Sequence, residues 1–338
     1  MKSNNELATI RSYKYLSLLK DKNSASYSIY EELLRELKAC CEDGKITVVD
    51  LLINAFSELG YMEKGLSYNK HEQEILDEKD SILDENGNVL IEDGKYTKYA
   101  SFFERHDDNS SKGEKYYNGS KQNNDWCSIF FDWLQVTTFG EEEARRITLR
   151  PYGKIRGAGV QYASEYYPLG LHLFVNPQSV RMGDQVFFSK NGSLFHTGIV
   201  VCQRDGYVYV IEGNTNPQIG KDSRVVPRGK AVCLKRYSLE RKDLEFVHPL
   251  YELSHSPSEF DSKRIIDLIV KLYEVSKKEL EDSLTLEEKN EVISLEHINK
   301  KRMILRQLKE VIGTAKYVAN TYREEISSTV IKAKGIIK

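Results

Sequence analysis

The stretch GDQVFFSKNGSLFHTGIVVCQRDGYVYVIEGNTN, residues 183–216, decides the fold class of this chain. It contains three short runs rich in Val, Ile, Phe and Tyr, divided by the turn sequences SKNGS and CQRDG. Such runs favour β-strands, and turn residues between two of them favour a hairpin. A further strand is predicted at AVCLKRYS, residues 231–238. Together these segments predict an antiparallel β-sheet.

Two polar residues of this sheet are predicted to meet at one edge. His196 opens the run HTGIVV, and the run YVYVIEGN stops on Glu212 and Asn214. If the two strands pair antiparallel across the CQRDG turn, Glu212 lies beside His196. A carboxylate there accepts a hydrogen bond from one imidazole nitrogen, which leaves the other nitrogen to act as a base. Asn214 is either a second orienting contact or a turn former.

A nucleophile for such a base is found upstream, in NNDWCSIFFDWL, residues 123–134. Cys127 directly precedes an apolar run typical of a helix, so its sulfur is predicted at a helix N-terminus. Unpaired N–H groups and a partial positive charge at that position favour a thiolate and can bind an oxyanion. The alternative is a buried core thiol. The chain has five cysteines, which form neither a disulfide framework nor a pair with zinc-site spacing.

The order of the patterns along the chain predicts an α+β protein, because helical segments come first and strands afterwards. Three parts are expected: an N-terminal helical extension, 1–45, a central domain with the candidate site, 46–256, and a C-terminal helical region, 257–338. No proline follows Pro257. Residues 298–338 hold ten Lys or Arg and three Asp or Glu. That excess predicts either a solvated basic face or adhesion to an anionic polymer.

Composition excludes several classes of protein. A formal net charge of −2 gives no global attraction to nucleic acid or to a membrane surface. No apolar run approaches the roughly 18 residues that span a bilayer, and the start MKSNNELATIRSYKYL lacks the apolar core of a secretory signal. We therefore expect a chain that is made in the cytoplasm, with no transmembrane segment and no nucleic-acid partner.

Three segments, DWCSIFFDWL, GDQVFFSKNGSLFHTGIVV and VYVIEGNTN, closely resemble the CHAP domain (cysteine, histidine-dependent amidohydrolase/peptidase). The similarity extends over roughly residues 46–252 and looks most like the versions in phage endolysins and related lysis or tail modules. It implies a papain-like fold, with N-terminal helices packed on an antiparallel β-sheet. It also implies that Cys127 is the nucleophile, His196 the general base, Glu212 the orienting acid and Asn214 a further polar site residue.

The resemblance also suggests substrate contacts. Tyr96 and Tyr99 match a segment that lies against the active site in similar proteins, and Trp126 adjoins the nucleophile; all three either line the cleft or pack. Some phage members bind calcium through an acidic residue two positions after the cysteine. That position holds Ile129 here, so we predict no such metal site and no cofactor. Only ERHDDNS, residues 104–110, is a candidate for loose cation binding.

The function implied by the resemblance is cleavage of an amide bond in bacterial peptidoglycan, by an N-acetylmuramoyl-L-alanine amidase or an endopeptidase. Such an enzyme would reach the wall after release by a holin, by lysis or by other non-classical export, or as part of a virion. Its basic C-terminal region would then adhere to an anionic wall polymer. Two alternatives stay open: an inactive CHAP-like structural or wall-binding module, and a cytoplasmic interaction protein that works through its helical ends.

Overall fold

A computed structural model describes most of the chain, namely residues 4–41, 44–64, 95–109, 115–150, 174–220, 229–251, 255, 262–285 and 311–314. The chain divides into two compact units, residues 1–284 and residues 285–338. Of the second unit, only Thr285 and residues 311–314 are described. The predicted basic region at 298–338 therefore lies almost entirely outside the described residues.

Seven α-helices form within the described residues of the first unit, and local sequence signals explain where two of them begin. The helices are α1 Asn4–Lys20, α2 Ala25–Ala39, α3 Val48–Ser57, α4 Lys98–Asn109, α5 Cys127–Phe139, α6 Glu141–Thr148 and α7 Ser262–Ser283. Ser24 caps α2 by accepting from the N–H of Tyr27, and Thr47 and Asp50 form a capping box at α3. Within the described part of the chain, no helix has the length and apolarity needed to cross a bilayer.

The strands form one antiparallel sheet of six, in the order β1-β6-β2-β3-β4-β5. They are β1 Phe174–Val175, β2 Gln185–Lys190, β3 Ser193–Arg204, β4 Tyr207–Thr215, β5 Ala231–Ser238 and β6 Leu244–Val247. The α+β class and all four predicted strands are present. Strands β1 and β6 were not predicted, because two and four residues are too few to show a period.

Both hairpins of the predicted stretch close with left-handed turn residues. Asn191 and Gly192 have φ of 54° and 77° between β2 and β3, and Asp205 and Gly206 have φ of 51° and 77° between β3 and β4. Two consecutive residues with positive φ match the right-handed twist of the flanking strands. These turns set the register that brings β3 and β4 together at the candidate site.

Helix α5 packs directly on β3 and β4. A Cβ atom on Gly213 would lie 2.6 Å from Trp126 Cζ3 and 2.8 Å from Phe130 Cβ, so only glycine permits this approach. Because Trp126 immediately precedes α5, the contact places the start of that helix against the end of β4. The fold thereby carries Cys127 to the part of the sheet that holds the candidate base.

Helix α7 belongs to the first unit, which differs from the boundary predicted at residue 257. It packs on α1 and α2 through a buried apolar face. Its Glu279 accepts hydrogen bonds from the N–H groups of Ala25 and Ser26 at 2.9 and 3.0 Å. A carboxylate at these unpaired N–H groups stabilises the start of α2. The predicted extension 1–45 is likewise part of this unit. The sequence did not show this, because an amphipathic pattern does not state which surface it will cover.

Candidate active site

Cys127 is the first residue of α5 and is 3% exposed. The N–H of Phe130 donates to the carbonyl of Trp126 at 2.9 Å, which starts the helical ladder. No side chain caps this helix. The N–H groups of the first turn are therefore not used by a cap, and the partial positive charge of the helix end acts at the sulfur.

The structure brings His196 and Glu212 together. His196 Nε2 lies 2.9 Å from Glu212 Oε2, and both side chains are fully buried. Strand β3 begins at Ser193, three residues earlier than the predicted run, so His196 lies within the strand and pairs with Phe188. The register that pairs Ile199 with Ile211 places Glu212 on the neighbouring strand close to His196.

Gly198 provides the space in which this pair meets. A Cβ atom at Gly198 would lie 2.8 Å from Glu212 Cγ, 2.6 Å from Val210 Cγ1 and 2.9 Å from the carbonyl oxygen of Ile211. Gly198 is two positions from His196, so both residues point to the same face of β3. The glycine thus lets the Glu212 side chain lie across β3 toward the imidazole.

Charge on neighbouring groups favours a protonated His196. Burial of the ring opposes protonation, but interactions with Cys127 and Glu212 outweigh it and raise the pKa of His196 from 6.5 to about 9. The second ring nitrogen, Nδ1, is buried and has no hydrogen-bond partner of normal geometry among the described residues. It is therefore available to the sulfur of Cys127, which acts on the ring more strongly than Glu212 does.

The environment of Glu212 favours its ionised form. Burial alone would raise the pKa of this carboxyl, but Lys235, His196 and Tyr237 bring it below its ordinary value. Lys235 Nζ lies 3.8 Å from Glu212 Oε2, and both side chains are fully buried. Lys235 was not predicted as a site residue. Its only signal in the sequence is a charge inside the apolar strand AVCLKRYS.

Asn214 is close to the candidate site but makes a different contact from the one predicted. Its Nδ2 donates to Asp125 Oδ1 at 3.3 Å, and Asp125 also pairs with Lys95. Its backbone is left-handed, with φ of 58°, at the end of β4. In this structure Asn214 therefore supports the segment that leads into α5, and its predicted role as an orienting contact for His196 is still a prediction.

Two of the three predicted substrate contacts lie in the core. Trp126 is fully buried and its indole donates to Glu63 Oε2 at 2.7 Å. Tyr99 is also fully buried, and its hydroxyl donates to Glu58 Oε2 at 2.7 Å. Both side chains are packing residues in this arrangement. Tyr96 is partly buried and exchanges backbone hydrogen bonds with Lys64, so of the three only Tyr96 has an accessible side chain.

The predicted loose cation site has other partners. His106 lies 2.7 Å from Glu141 Oε2 through Nε2, and Lys121 pairs with Asp107 at 2.6 Å. Ile129, at the position where a calcium site of the kind considered above would need an acid, is fully buried. The described ranges contain no group of three or more His, Cys, Asp or Glu arranged to hold a metal ion.

Comparison with protein-family models, with curated proteins and with solved structures gave no match to this chain.

Proposed function

We propose that this protein is a cysteine-dependent amidohydrolase or peptidase with a papain-like CHAP fold. The observation that supports it best is the buried hydrogen bond of 2.9 Å between His196 Nε2 and Glu212 Oε2, next to a cysteine that starts a helix. A nucleophile, a base and an orienting acid arranged in this way are the parts needed for acyl transfer. Sequence resemblance to the CHAP domain points in the same direction.

The reaction begins from the Cys127 thiolate and the His196 imidazolium. The thiolate attacks the amide carbonyl carbon, a C–S bond forms, and the N–H groups at the start of α5 bind the oxyanion. Collapse of this intermediate breaks the C–N bond, while His196 gives its proton to the leaving amine. A thioester on Cys127 and a free amine result.

Hydrolysis of the thioester returns the site to its first state. His196, now neutral, takes a proton from water as hydroxide adds to the thioester carbonyl. The C–S bond then breaks, leaving a carboxylic acid, which releases its proton to solvent, together with the Cys127 thiolate and the imidazolium. Throughout, the ionised Glu212 accepts from Nε2–H and keeps Nδ1 directed to the sulfur and water.

The substrate we propose is an amide bond of bacterial peptidoglycan, either between glycan and peptide or within the peptide. This part rests on the sequence resemblance alone. A wall hydrolase of this kind would reach its substrate after release from the cell that makes it, by lysis or another non-classical route, or as part of a virion. Adhesion of the basic region at 298–338 to an anionic wall polymer belongs to the same proposal.

Digestion of purified peptidoglycan tests this function. The wild-type chain is expected to release new amine and carboxyl termini, whose masses distinguish an amidase, which frees whole stem peptides from glycan, from an endopeptidase. Cys127→Ala removes the nucleophile and should lower the rate by at least about 10³-fold, the scale on which removal of a covalent nucleophile acts. Mass spectrometry of the products measures both results.

Cys202→Ala is the matched control, because Cys202 is also a buried thiol but lies away from the His196–Glu212 pair on β3. Its activity should equal that of the wild type. Digestion by Cys127→Ala at the wild-type rate would show that Cys127 is a core thiol. Absence of digestion by the folded wild type would favour the inactive wall-binding module or the interaction protein.

A further inference from the structure

Lys235 is a fully buried lysine in the middle of β5. Its Nζ lies 3.8 Å from Glu212 Oε2 and donates to Thr215 Oγ1 at 3.0 Å. A lysine is almost never fully buried unless its charge is paired, because removing an ammonium from water costs much free energy. Its ion-pair partner here is the carboxylate that orients the candidate base.

The pair completes a balanced set of four charges in the proposed resting state. Cys127 and Glu212 are negative, and His196 and Lys235 are positive. Without Lys235, the other three groups carry a net negative charge in a buried region, which is unfavourable. Of the two anions, Glu212 is the one that Lys235 contacts, so loss of Lys235 favours proton uptake at Glu212.

A protonated Glu212 would undo the orientation of His196. An ionised carboxylate can only accept, so it requires a proton on Nε2 and leaves Nδ1 to exchange protons with the thiol. A neutral carboxyl can instead donate to Nε2, and the ring then carries its proton on Nδ1. In that tautomer His196 cannot take a proton from Cys127.

We propose that Lys235 is a positioning residue that keeps Glu212 ionised and so holds His196 in the form that hydrolysis requires. The catalytic consequence rests on the proposed function, whereas the effect on Glu212 does not. Burial raises the pKa of Glu212, and Lys235 is the foremost of the groups that lower it. The charged or titratable groups that act on Glu212 are Lys235, His196, Tyr237, Cys233 and Arg241.

The test is a pH titration of the full-length chain with ¹³C-labelled glutamate carboxyls, in which Glu212→Gln identifies the Glu212 signal. Lys235→Met should move the Glu212 titration upward by about one pH unit or more, equivalent to at least a tenfold change in acid dissociation. Lys235→Arg keeps the charge and should restore the wild-type titration. An unchanged titration in folded Lys235→Met would overturn the inference.

Peptidoglycan hydrolysis gives the second readout. For Lys235→Met, kcat/KM should fall about tenfold at one pH unit below the new Glu212 titration midpoint and recover above that midpoint, with little change in KM, because the loss comes from protonation of Glu212. Lys64→Met is the matched control, since Lys64 is also buried but its ammonium faces the Tyr61 ring. It should leave the pH profile unchanged.

These readouts separate the two proposals. If the wild type does not hydrolyse peptidoglycan but Lys235→Met shifts the Glu212 titration, the proposed function fails. The inference that Lys235 keeps Glu212 ionised then stands. If the wild type hydrolyses peptidoglycan and Lys235→Met loses activity equally at every pH, Lys235 supports the fold alone and the inference fails.

Discussion

One histidine–carboxylate pair lies within the sheet and another lies just beyond the ends of β2 and β6, and the two pairs differ in their surroundings. His196 Nε2 is 2.9 Å from Glu212, and His248 Nδ1 is 2.6 Å from Asp184. The first pair is fully buried beside Cys127, whereas the His248 side chain is 23% exposed at the end of β6. Both pairs satisfy the same geometric rule for an orienting acid and its histidine.

Burial raises the pKa of the carboxyl in both pairs, but the net shifts have opposite directions. Burial raises the pKa of Asp184 to about 6, despite hydrogen bonds from the Arg181 N–H and from His248. At Glu212 the effect of burial is overcome by Lys235 and His196, so its pKa falls below the ordinary value. A histidine beside an acid is therefore not sufficient evidence of an active site. A second buried cation and a nucleophile set the first pair apart.

Replacing each histidine in turn by alanine should give the largest difference in activity between the two pairs. His196→Ala removes the base and should lower kcat/KM for peptidoglycan by about 10²–10⁴-fold, the contribution of a positioned general base. His248→Ala removes the histidine partner of Asp184, and its activity should stay within about threefold of the wild-type rate. Product release from purified peptidoglycan, with folding verified by circular dichroism, measures both.

Equal losses in the two variants would mean that both histidines act through the stability of the sheet. Equal retention of activity would exclude His196 as the base. Because each substitution removes the histidine partner of one buried carboxylate, the stability losses should be similar, and only activity should distinguish the pairs.

A smaller effect is expected from Gly198→Ala. The new methyl would contact Glu212 Cγ at 2.8 Å and the Ile211 carbonyl oxygen at 2.9 Å, so the carboxylate must shift away from His196. We expect kcat to fall about 10–100-fold, because a misplaced orienting group acts through the base. Kinetics at saturating peptidoglycan measure this loss.

Gly192→Ala is the control for backbone strain. Gly192 has φ of 77° in the β2–β3 turn, and a Cβ there would meet no atom within 4 Å. It should lower stability by about 1 kcal/mol, since alanine is unfavourable at positive φ, without loss of activity. If Gly198→Ala behaves in the same way, the position of Glu212 is not critical.

The smallest expected effect is on the pH dependence of stability. The two pairs contribute to it over different pH ranges. Because the pKa of His196 is raised in the folded protein, protonation of this residue stabilises the fold. This contribution is fully present below pH 6.5 and is lost as the pH rises through about 9. The raised pKa of Asp184 also favours the protonated form in the folded state. Its contribution is present below pH 3.8 and is lost as the pH rises through about 6.

Denaturant unfolding from pH 4 to pH 10 measures these contributions, each of which is at most about 3 kcal/mol. His196→Gln should flatten the stability curve between pH 6.5 and 9, and Asp184→Asn should flatten it between pH 4 and 6. A wild-type curve that rises between pH 6.5 and 9 would contradict the ion pair proposed at the site.

Sequence patterns predicted much of the sheet but little of the packing around it. The four strands and their turns follow from alternation and left-handed turn residues, which are local properties. The docking of α7 on α1 and α2 was not predicted, because its partners lie more than two hundred residues away. The sequence left open whether Trp126 and Tyr99 line a cleft or pack, because an aromatic side chain near a cysteine suits both environments, and the structure buries both.

By itself, the sequence determined the α+β class, a helix that starts at Cys127, and a strand register that places Glu212 beside His196. These follow from short-range periodicity and from the tight turn between β3 and β4. Only the tertiary structure decided that Lys235 faces Glu212 and that Gly198 makes room for it. No tight turn joins β4 to β5, and the space at Gly198 depends on side-chain packing, so a linear pattern states neither contact.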